Sequence, residues 1–137
     1  MSAPPPFDYV VRIEYDVALV RNRALQIGRE MGLRNISRHS VATIVSELAY
    51  NLVLHTAGCG GIIHLIPLYQ PPRKGVRVEA VDQGPGIADI TLAMQDGYST
   101  CGGLGGGLPG VRRLADEFTI DSQKGGETRI EAIKWDR

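Results

Sequence analysis

The fold of this 137-residue chain is indicated most clearly by the stretch Val41-Ala42-Thr43-Ile44-Val45-Ser46-Glu47-Leu48-Ala49-Tyr50-Asn51-Leu52. At about 100° per residue, its large apolar side chains fall within a stripe roughly 100° wide, which is typical of a helix with one buried face. We expect this helix to begin near Ser37 or Ser40 and to end at about His55. Glu47, Asn51 and His55 recur every fourth residue along one edge of the stripe. This polar row lies where core meets solvent, as the wall of a pocket would.

The segments on either side of this helix complete an α/β pattern. A β-branched and aromatic run predicts a strand over Tyr9–Tyr15, and Asp16 is expected to cap a helix that runs to about Met31 and stops at Gly32. Further strands are predicted at Gly61–Pro67, Gly75–Val81, Glu117–Ser122 and Thr128–Lys134, with a short helix near Ile90–Gln95 and another from Pro109 through Ala115. Roughly three helices and five strands, with the strands grouped late, predict a two-layer α/β (α+β) sandwich with helices on one face. We assign residues 1–8 to a flexible lead and residues 9–137 to one domain.

Composition excludes several classes of protein. Fifteen basic and fifteen acidic side chains cancel, so no overall field attracts nucleic acid or an anionic membrane. The short basic group Arg73, Lys74 and Arg77 is interpreted as a solvated hairpin end. Two cysteines are too few for a disulfide framework, and neither a signal peptide nor an apolar run of about 20 residues is present. We therefore expect a soluble, cytoplasmic protein with no membrane or nucleic-acid partner.

Glycines concentrate in one segment, Gly102-Gly103-Leu104-Gly105-Gly106-Gly107-Leu108-Pro109-Gly110, which holds six of the seventeen. Glycine leaves backbone N–H groups open to a ligand, and the helix that follows favours an anion at its start, so the segment predicts a phosphate cradle. A flexible loop without a ligand is the alternative. No Gly-x-x-x-x-Gly-Lys-Ser/Thr pattern occurs, and the formal dinucleotide match Gly105-x-Gly107-x-x-Gly110 follows no convincing strand, so we set both aside.

A second glycine turn, Asp82-x-Gly84-x-Gly86, follows a predicted strand. A carboxylate at a strand end can accept hydrogen bonds from an amine such as the exocyclic group of adenine. A plain strand-to-loop turn has the same composition, and the site interpretation gains its support from Glu47 and Asn51 upstream and the glycine loop downstream.

In this order, these residues resemble the GHKL ATPase superfamily of gyrase, Hsp90, histidine kinases and MutL. Glu47-x-x-x-Asn51 resembles its N box, Asp82-x-Gly84-x-Gly86 its first glycine box and Gly103-x-Gly105-x-Gly107 its second. Thr128 resembles the threonine that helps to hold adenine. The resemblance implies a Bergerat-type fold with a mixed, mainly antiparallel sheet, helices on one face and a glycine-rich ATP lid. It also implies ATP and Mg²⁺ as cofactors.

Roles for individual residues follow from the resemblance together with the helical spacing. Glu47 is the candidate catalytic residue and the side-chain oxygen of Asn51 the candidate Mg²⁺ ligand. The candidate ATP-binding residues are Asn51, His55, Asp82, Gly84, Gly86, Ile87, Ser99, Thr100, Gly103, Leu104, Gly105, Gly106, Gly107, Leu108 and Thr128. For His55 the alternative is a favourable interaction with the helix C-terminus, and for Ser99 and Thr100 it is a solvated turn.

Longer matches, among them Asp82-Gln83-Gly84-Pro85-Gly86-Ile87 and Asp96-Gly97-Tyr98-Ser99-Thr100, resemble the RsbT-type switch kinases of the bacterial stressosome. That resemblance implies a serine/threonine protein kinase that phosphorylates STAS-domain scaffold proteins and, when released, activates a PP2C-type phosphatase or another downstream regulator. An anti-sigma-factor kinase and a catalytically idle nucleotide-binding module remain alternatives. Tyr50, where arginine is expected, and Cys101, where serine is usual, depart from the pattern without removing a ligand group.

Overall fold

The computed structural model describes residues 3–54, 56, 59–82, 107–122 and 127–137. This part of the chain contains five strands and three helices. They are β1 (Phe7–Val11), α1 (Glu14–Glu30), α2 (Asn35–Leu54), β2 (Gly61–Gln70), β3 (Arg73–Asp82), α3 (Leu108–Leu114), β4 (Glu117–Ser122) and β5 (Thr128–Trp135). The predicted helix near Ile90–Gln95 lies outside the described residues.

The strands form one five-stranded sheet in the order β1-β2-β3-β5-β4. Every pairing between these strands is antiparallel, so the expectation of a mixed sheet is wrong for the described strands. The physical reason is connectivity: β2 and β3 form a hairpin, β4 and β5 follow each other closely, and the order joins the two pairs through β3 and β5.

Helices cover one face of this sheet, as the two-layer prediction requires. Alternate residues of the strands, such as Ile63, Leu65, Val78 and Ala132, are buried in one core with apolar residues of all three helices. α2 contributes the apolar stripe predicted from its sequence, including Val41, Ile44, Val45, Leu48 and Leu52. The sandwich prediction is therefore confirmed.

The opposite face, which we call the open face, carries ion pairs between neighbouring strands. Arg77 lies near Glu79 and Glu131, and Arg129 donates to Glu79 at 3.0 Å. Trp135 is buried on this face, which alternates away from the helices, and the guanidinium of Arg73 stacks 3.9 Å from its ring centre. The predicted solvated basic group thus contains two arginines with structural partners.

α1 begins three residues earlier than expected, so the expectation that Asp16 precedes the helix as its cap is wrong. Ile13 occupies the cap position, and the Asp16 carboxylate accepts hydrogen bonds from the backbone N–H groups of Arg12 at 2.9 Å and Ile13 at 3.1 Å. Asp16 still satisfies N–H groups at the helix start, but it does so from the third helical position. The preceding strand, β1, therefore ends at Val11 and not at Tyr15 as predicted. It begins at Phe7, within the proline-rich lead.

Candidate functional site

The site is built first on α2, where Glu47 and Asn51 lie one helical turn apart. Glu47 is only 1% exposed, although charged side chains are rarely buried to this extent. Asn51 is half-buried on the same side of the helix. The sequence predicts both residues at the border between core and solvent, and the structure buries Glu47 more deeply than that.

The Asn51 side chain has an unsatisfied polar atom. Its amide nitrogen is buried, and no described residue accepts a hydrogen bond from it. Buried polar groups nearly always have partners, and leaving one without a partner costs roughly 1–3 kcal/mol. The amide end of Asn51 therefore faces a place where a polar ligand would complete its hydrogen bonding, and the neighbouring amide oxygen suits a Mg²⁺ ion.

Asp82 and Thr128 form the second part of the site, at the ends of β3 and β5. They are direct partners across the sheet, with the two strands antiparallel. Thr128 is 1% exposed, and its hydroxyl lies 2.7 Å from the hydroxyl of Ser122 on β4. The sheet thus brings together the two residues that were predicted to hold adenine, although 45 residues separate them in sequence.

α2 reaches this same end of the sheet through Leu52. Gly61 pairs with Asp82 on the side away from Thr128, and a Cβ at Gly61 would lie 2.7 Å from the Leu52 side chain and 3.2 Å from the Asp82 Cα. Only glycine allows this close approach of helix and strands. Because Leu52 follows Asn51 directly, the helix residues and the strand residues of the predicted site meet at one end of the molecule.

α3 begins at the end of the glycine loop. Gly107 is its N-cap with φ 71° and ψ −147°, a backbone conformation that is essentially restricted to glycine. Its carbonyl accepts a hydrogen bond from Val111 N–H at 3.1 Å. Leu108 and Val111 are buried in the same core as α2, so the side chain of Leu108 serves packing and only its backbone is available to a nucleotide.

A contact between Tyr50 and Glu14 was not anticipated from the sequence. The Tyr50 hydroxyl donates to a Glu14 carboxylate oxygen at 3.3 Å, tying α2 to the start of α1. Burial raises the pKa of Tyr50, and the charge and hydrogen bond of Glu14 and the charge of Glu47 raise it further. No sequence pattern predicts a contact between residues 36 positions apart, although Tyr50 departs from the family pattern.

The remaining predicted site residues lie outside the described part of the chain. They are His55, Gly84, Gly86, Ile87, Ser99, Thr100, Gly103, Leu104, Gly105 and Gly106. Among the described residues, no helix has the length and hydrophobicity needed to cross a membrane.

Comparison with known proteins agrees with the fold described above. Residues 37–137 match the family described as histidine kinase-, DNA gyrase B-, and HSP90-like ATPase. The chain is 42% identical over 125 residues to the serine/threonine-protein kinase RsbT of Bacillus subtilis, covering 91% of this chain and 92% of that protein.

Its fold is similar to the crystal structure of the RsbU and RsbW domains of Rv1364c from Mycobacterium tuberculosis, with a TM-score of 0.68 and 15% identity. That match covers 97% of this chain and 33% of the other chain, so this protein spans about a third of that structure. The predicted GHKL resemblance is confirmed, and ATP is the nucleotide that such a family implies. The chain belongs to the histidine kinase-, DNA gyrase B- and HSP90-like ATPase family.

Proposed function

We propose that this chain is an ATP- and Mg²⁺-dependent serine/threonine protein kinase that phosphorylates STAS-domain stressosome scaffold proteins in the bacterial cytoplasm. One observation carries the proposal: a glutamate that is 1% exposed lies one helical turn from an asparagine whose buried amide nitrogen lacks a described partner. In such a pair, the asparagine can bind a metal-bound nucleotide while the glutamate beside it acts as a general base. The 42% identity to a protein named as a serine/threonine-protein kinase supports the same activity.

Adenine recognition is assigned to the strand ends. The Asp82 carboxylate would accept hydrogen bonds from the exocyclic amine, while the Thr128 hydroxyl beside it would serve as a second polar contact. Thr128 is held in place by burial and by its contact with Ser122 at 2.7 Å. This contact holds the Thr128 hydroxyl in position beside Asp82, where it would serve as a second polar group for the adenine.

Phosphate recognition is assigned to Asn51 and to the glycine loop that ends at Gly107. The Asn51 side-chain oxygen would hold Mg²⁺, with the nucleotide's own phosphates and water as further ligands. Backbone N–H groups of Gly103–Leu108 would cradle the phosphates. When bound there, ATP would supply the phosphoryl group and Mg²⁺ would neutralise negative charge on the phosphate oxygens.

Glu47 is the proposed catalytic base. The serine or threonine oxygen of the substrate forms its bond to the γ-phosphorus as the bond between that phosphorus and the β,γ-bridging oxygen breaks. The proton of the hydroxyl passes to the Glu47 carboxylate, either directly or through one water molecule.

Two partners follow from this proposal. STAS-domain proteins would be the substrates, and a PP2C-type phosphatase or another downstream regulator would bind the kinase once a phosphorylated scaffold releases it. Both come from the resemblance of this chain to stressosome switch kinases, and the chain's identity to RsbT supports them.

The test is a phosphotransfer assay with labelled ATP, Mg²⁺ and purified STAS-domain proteins from the same organism. Wild-type protein should label a serine or threonine in at least one of them, while Glu47→Gln should lower the rate by about 10²–10⁴-fold without weakening ATP binding. Full activity of Glu47→Gln would remove Glu47 from its role. ATP binding without label in any STAS protein would instead favour an idle nucleotide-binding module, and tight binding to a sigma factor would favour an anti-sigma kinase.

A further inference from the structure

Three polar side chains form a row across the end of the sheet that carries the proposed adenine contacts. Asp82 on β3 pairs directly with Thr128 on β5, and Thr128 pairs directly with Ser122 on β4. Residues that face each other across antiparallel strands project to the same face of the sheet, with Cβ atoms about 4.5–5.5 Å apart. Thr128 therefore lies between a carboxylate on one side and a hydroxyl on the other.

This row lies on the face of the sheet that the helices cover. Each of its members is two positions along its strand from an apolar residue of the core layer, namely Ala80, Ile120 or Ile130. Side chains alternate between the two faces of a strand, so all three polar groups share the helix side. Thr128 is buried and Ser122 is half-buried. Ser122 thus belongs to the same site as the other two residues, although no sequence pattern predicts a role for it.

The direction of the hydrogen bond between the two hydroxyls follows from the charge beside them. The Thr128 and Ser122 oxygens are 2.7 Å apart, a distance that suits either hydroxyl as the donor. Each hydroxyl has one proton to donate and two lone pairs that accept. The negative carboxylate of Asp82 attracts the Thr128 proton towards its own side of the row. Ser122 is then the donor to Thr128, and the Thr128 proton remains available on the side of the proposed adenine contact.

We propose that Ser122 is a positioning residue that makes Thr128 a hydrogen-bond donor and thereby selects adenine over guanine. The inference rests on the proposed function, in its ATP-binding part, and extends it to the choice of base. Asp82 accepts a hydrogen bond from the exocyclic amine. Thr128 donates, directly or through one water molecule, to N1, the ring nitrogen beside that amine.

Guanine presents the opposite pattern at the same edge. Where adenine has an amine and a bare N1, guanine has a carbonyl oxygen and a protonated N1. A Thr128 hydroxyl that is free to turn could accept a hydrogen bond from the guanine N1–H, whereas one that already accepts from Ser122 and donates to the base is poorly suited to do so. Polar groups that the wrong ligand leaves without a partner are an effective source of discrimination between ligands.

The experiment compares Ser122→Ala with Ser122→Thr and Thr119→Ala. Ser122→Thr keeps a hydroxyl at this position, and Thr119→Ala removes an exposed hydroxyl from the opposite face of β4. The affinities of each protein for ATP and GTP, with Mg²⁺ present, would be measured by competition against a fluorescent ATP analogue. Ser122→Ala should lower the ratio of ATP affinity to GTP affinity by about three- to tenfold, which corresponds to one neutral hydrogen bond. The other two variants should keep the wild-type ratio.

Two ATP analogues distinguish this role from a general loosening of the strand. 1-Deaza-ATP lacks N1, 7-deaza-ATP retains it, and both retain the amine. The wild type should bind 1-deaza-ATP about three- to tenfold more weakly than ATP, and in Ser122→Ala this difference should fall to about twofold or less. The ratio of 7-deaza-ATP affinity to ATP affinity should be the same in both proteins. A purely structural defect would instead weaken the binding of all these nucleotides by the same factor.

The outcomes separate this inference from the kinase proposal. If Ser122→Ala keeps the wild-type ratio of ATP to GTP affinity, or loses affinity for every nucleotide equally, the role of Ser122 is overturned, while phosphotransfer by the wild type would still support the kinase. A lowered ratio in a protein that transfers phosphate to no STAS-domain protein would support the role of Ser122 and overturn the kinase. Failure of the wild type to bind ATP would contradict both.

Discussion

Asp82 and Thr128 face each other across β3 and β5, at the end of the sheet against which Leu52 of α2 packs. One residue offers a carboxylate and the other a buried hydroxyl fixed by Ser122. Their adjacency is a consequence of antiparallel register, so the adenine side of the proposed site is created by the sheet itself and not by a loop.

Asp82→Asn should weaken ATP binding by about tenfold to a hundredfold, because a hydrogen bond to a charged acceptor contributes roughly 1.5–3 kcal/mol. Calorimetric titration with Mg-ATP measures this directly. Asp121→Asn is the matched control, since Asp121 is exposed on β4 and points away from Thr128. If Asp82→Asn binds ATP as tightly as the wild type, the assignment of Asp82 to adenine is wrong.

The helix part of this site could be predicted from local sequence, whereas the strand part could not. The row of Glu47 and Asn51 was predictable, because both lie on one helix and helical spacing alone puts them on one side. The pairing of Asp82 with Thr128 depends on the register of two strands that are far apart in sequence, which periodicity does not contain. It was anticipated only through the family pattern.

Contacts between separate elements account for the other differences. The bond from Tyr50 to Glu14 joins two helices, and the stacking of Arg73 on Trp135 joins a hairpin to the last strand. Local sequence determined the apolar stripe of α2 correctly. It misjudged the start of α1, because a carboxylate at the third helical position bonds the same N–H groups that a preceding cap would.

Asn51→Ala should remove the benefit of Mg²⁺ for ATP binding. In the wild type, adding Mg²⁺ to metal-free protein should increase the affinity for ATP. In the variant this increase in affinity should be about tenfold smaller, because the metal ligand is absent. Asn22→Ala, an exposed position on α1, is the control. Titrations with ATP in EDTA and in Mg²⁺ give both numbers for each protein. An equal response of Asn51→Ala and wild type to Mg²⁺ would assign the metal to other ligands.

Gly107→Ala should lower both stability and ATP affinity, whereas Gly32→Ala should lower stability alone. Both glycines have φ near +70°, where alanine costs roughly 1–3 kcal/mol. Gly107 precedes α3 at the end of the glycine loop, while Gly32 follows α1 far from the predicted phosphates. Thermal denaturation and nucleotide titration of the two variants separate strain from binding. Equal ATP affinity in both would leave the end of the glycine loop without a role in phosphate binding.

Asp116 should make the fold sensitive to acid. Burial alone would raise the pKa of Asp116, but the Trp135 N–H at 2.7 Å and the charges of Arg137 and Lys134 outweigh it and hold the pKa below its usual value. A carboxylate with a lowered folded-state pKa stabilises the protein fully above its unfolded pKa of about 3.9, and this contribution is lost as pH falls through the folded value.

Asp116→Asn should therefore reduce the free energy of unfolding by about 1–2 kcal/mol at pH 7, because it removes the negative charge that pairs with Lys134 and Arg137. The difference from the wild type should shrink as pH falls below about 4, where the wild-type carboxylate itself becomes protonated. Urea denaturation of wild type and variant at pH 7, 5 and 3 tests the sign. Asp121→Asn, exposed on the neighbouring strand β4, controls for loss of a negative charge. A difference between Asp116→Asn and wild type that grows towards low pH would contradict the assigned direction, since it would require a folded-state pKa above the unfolded one.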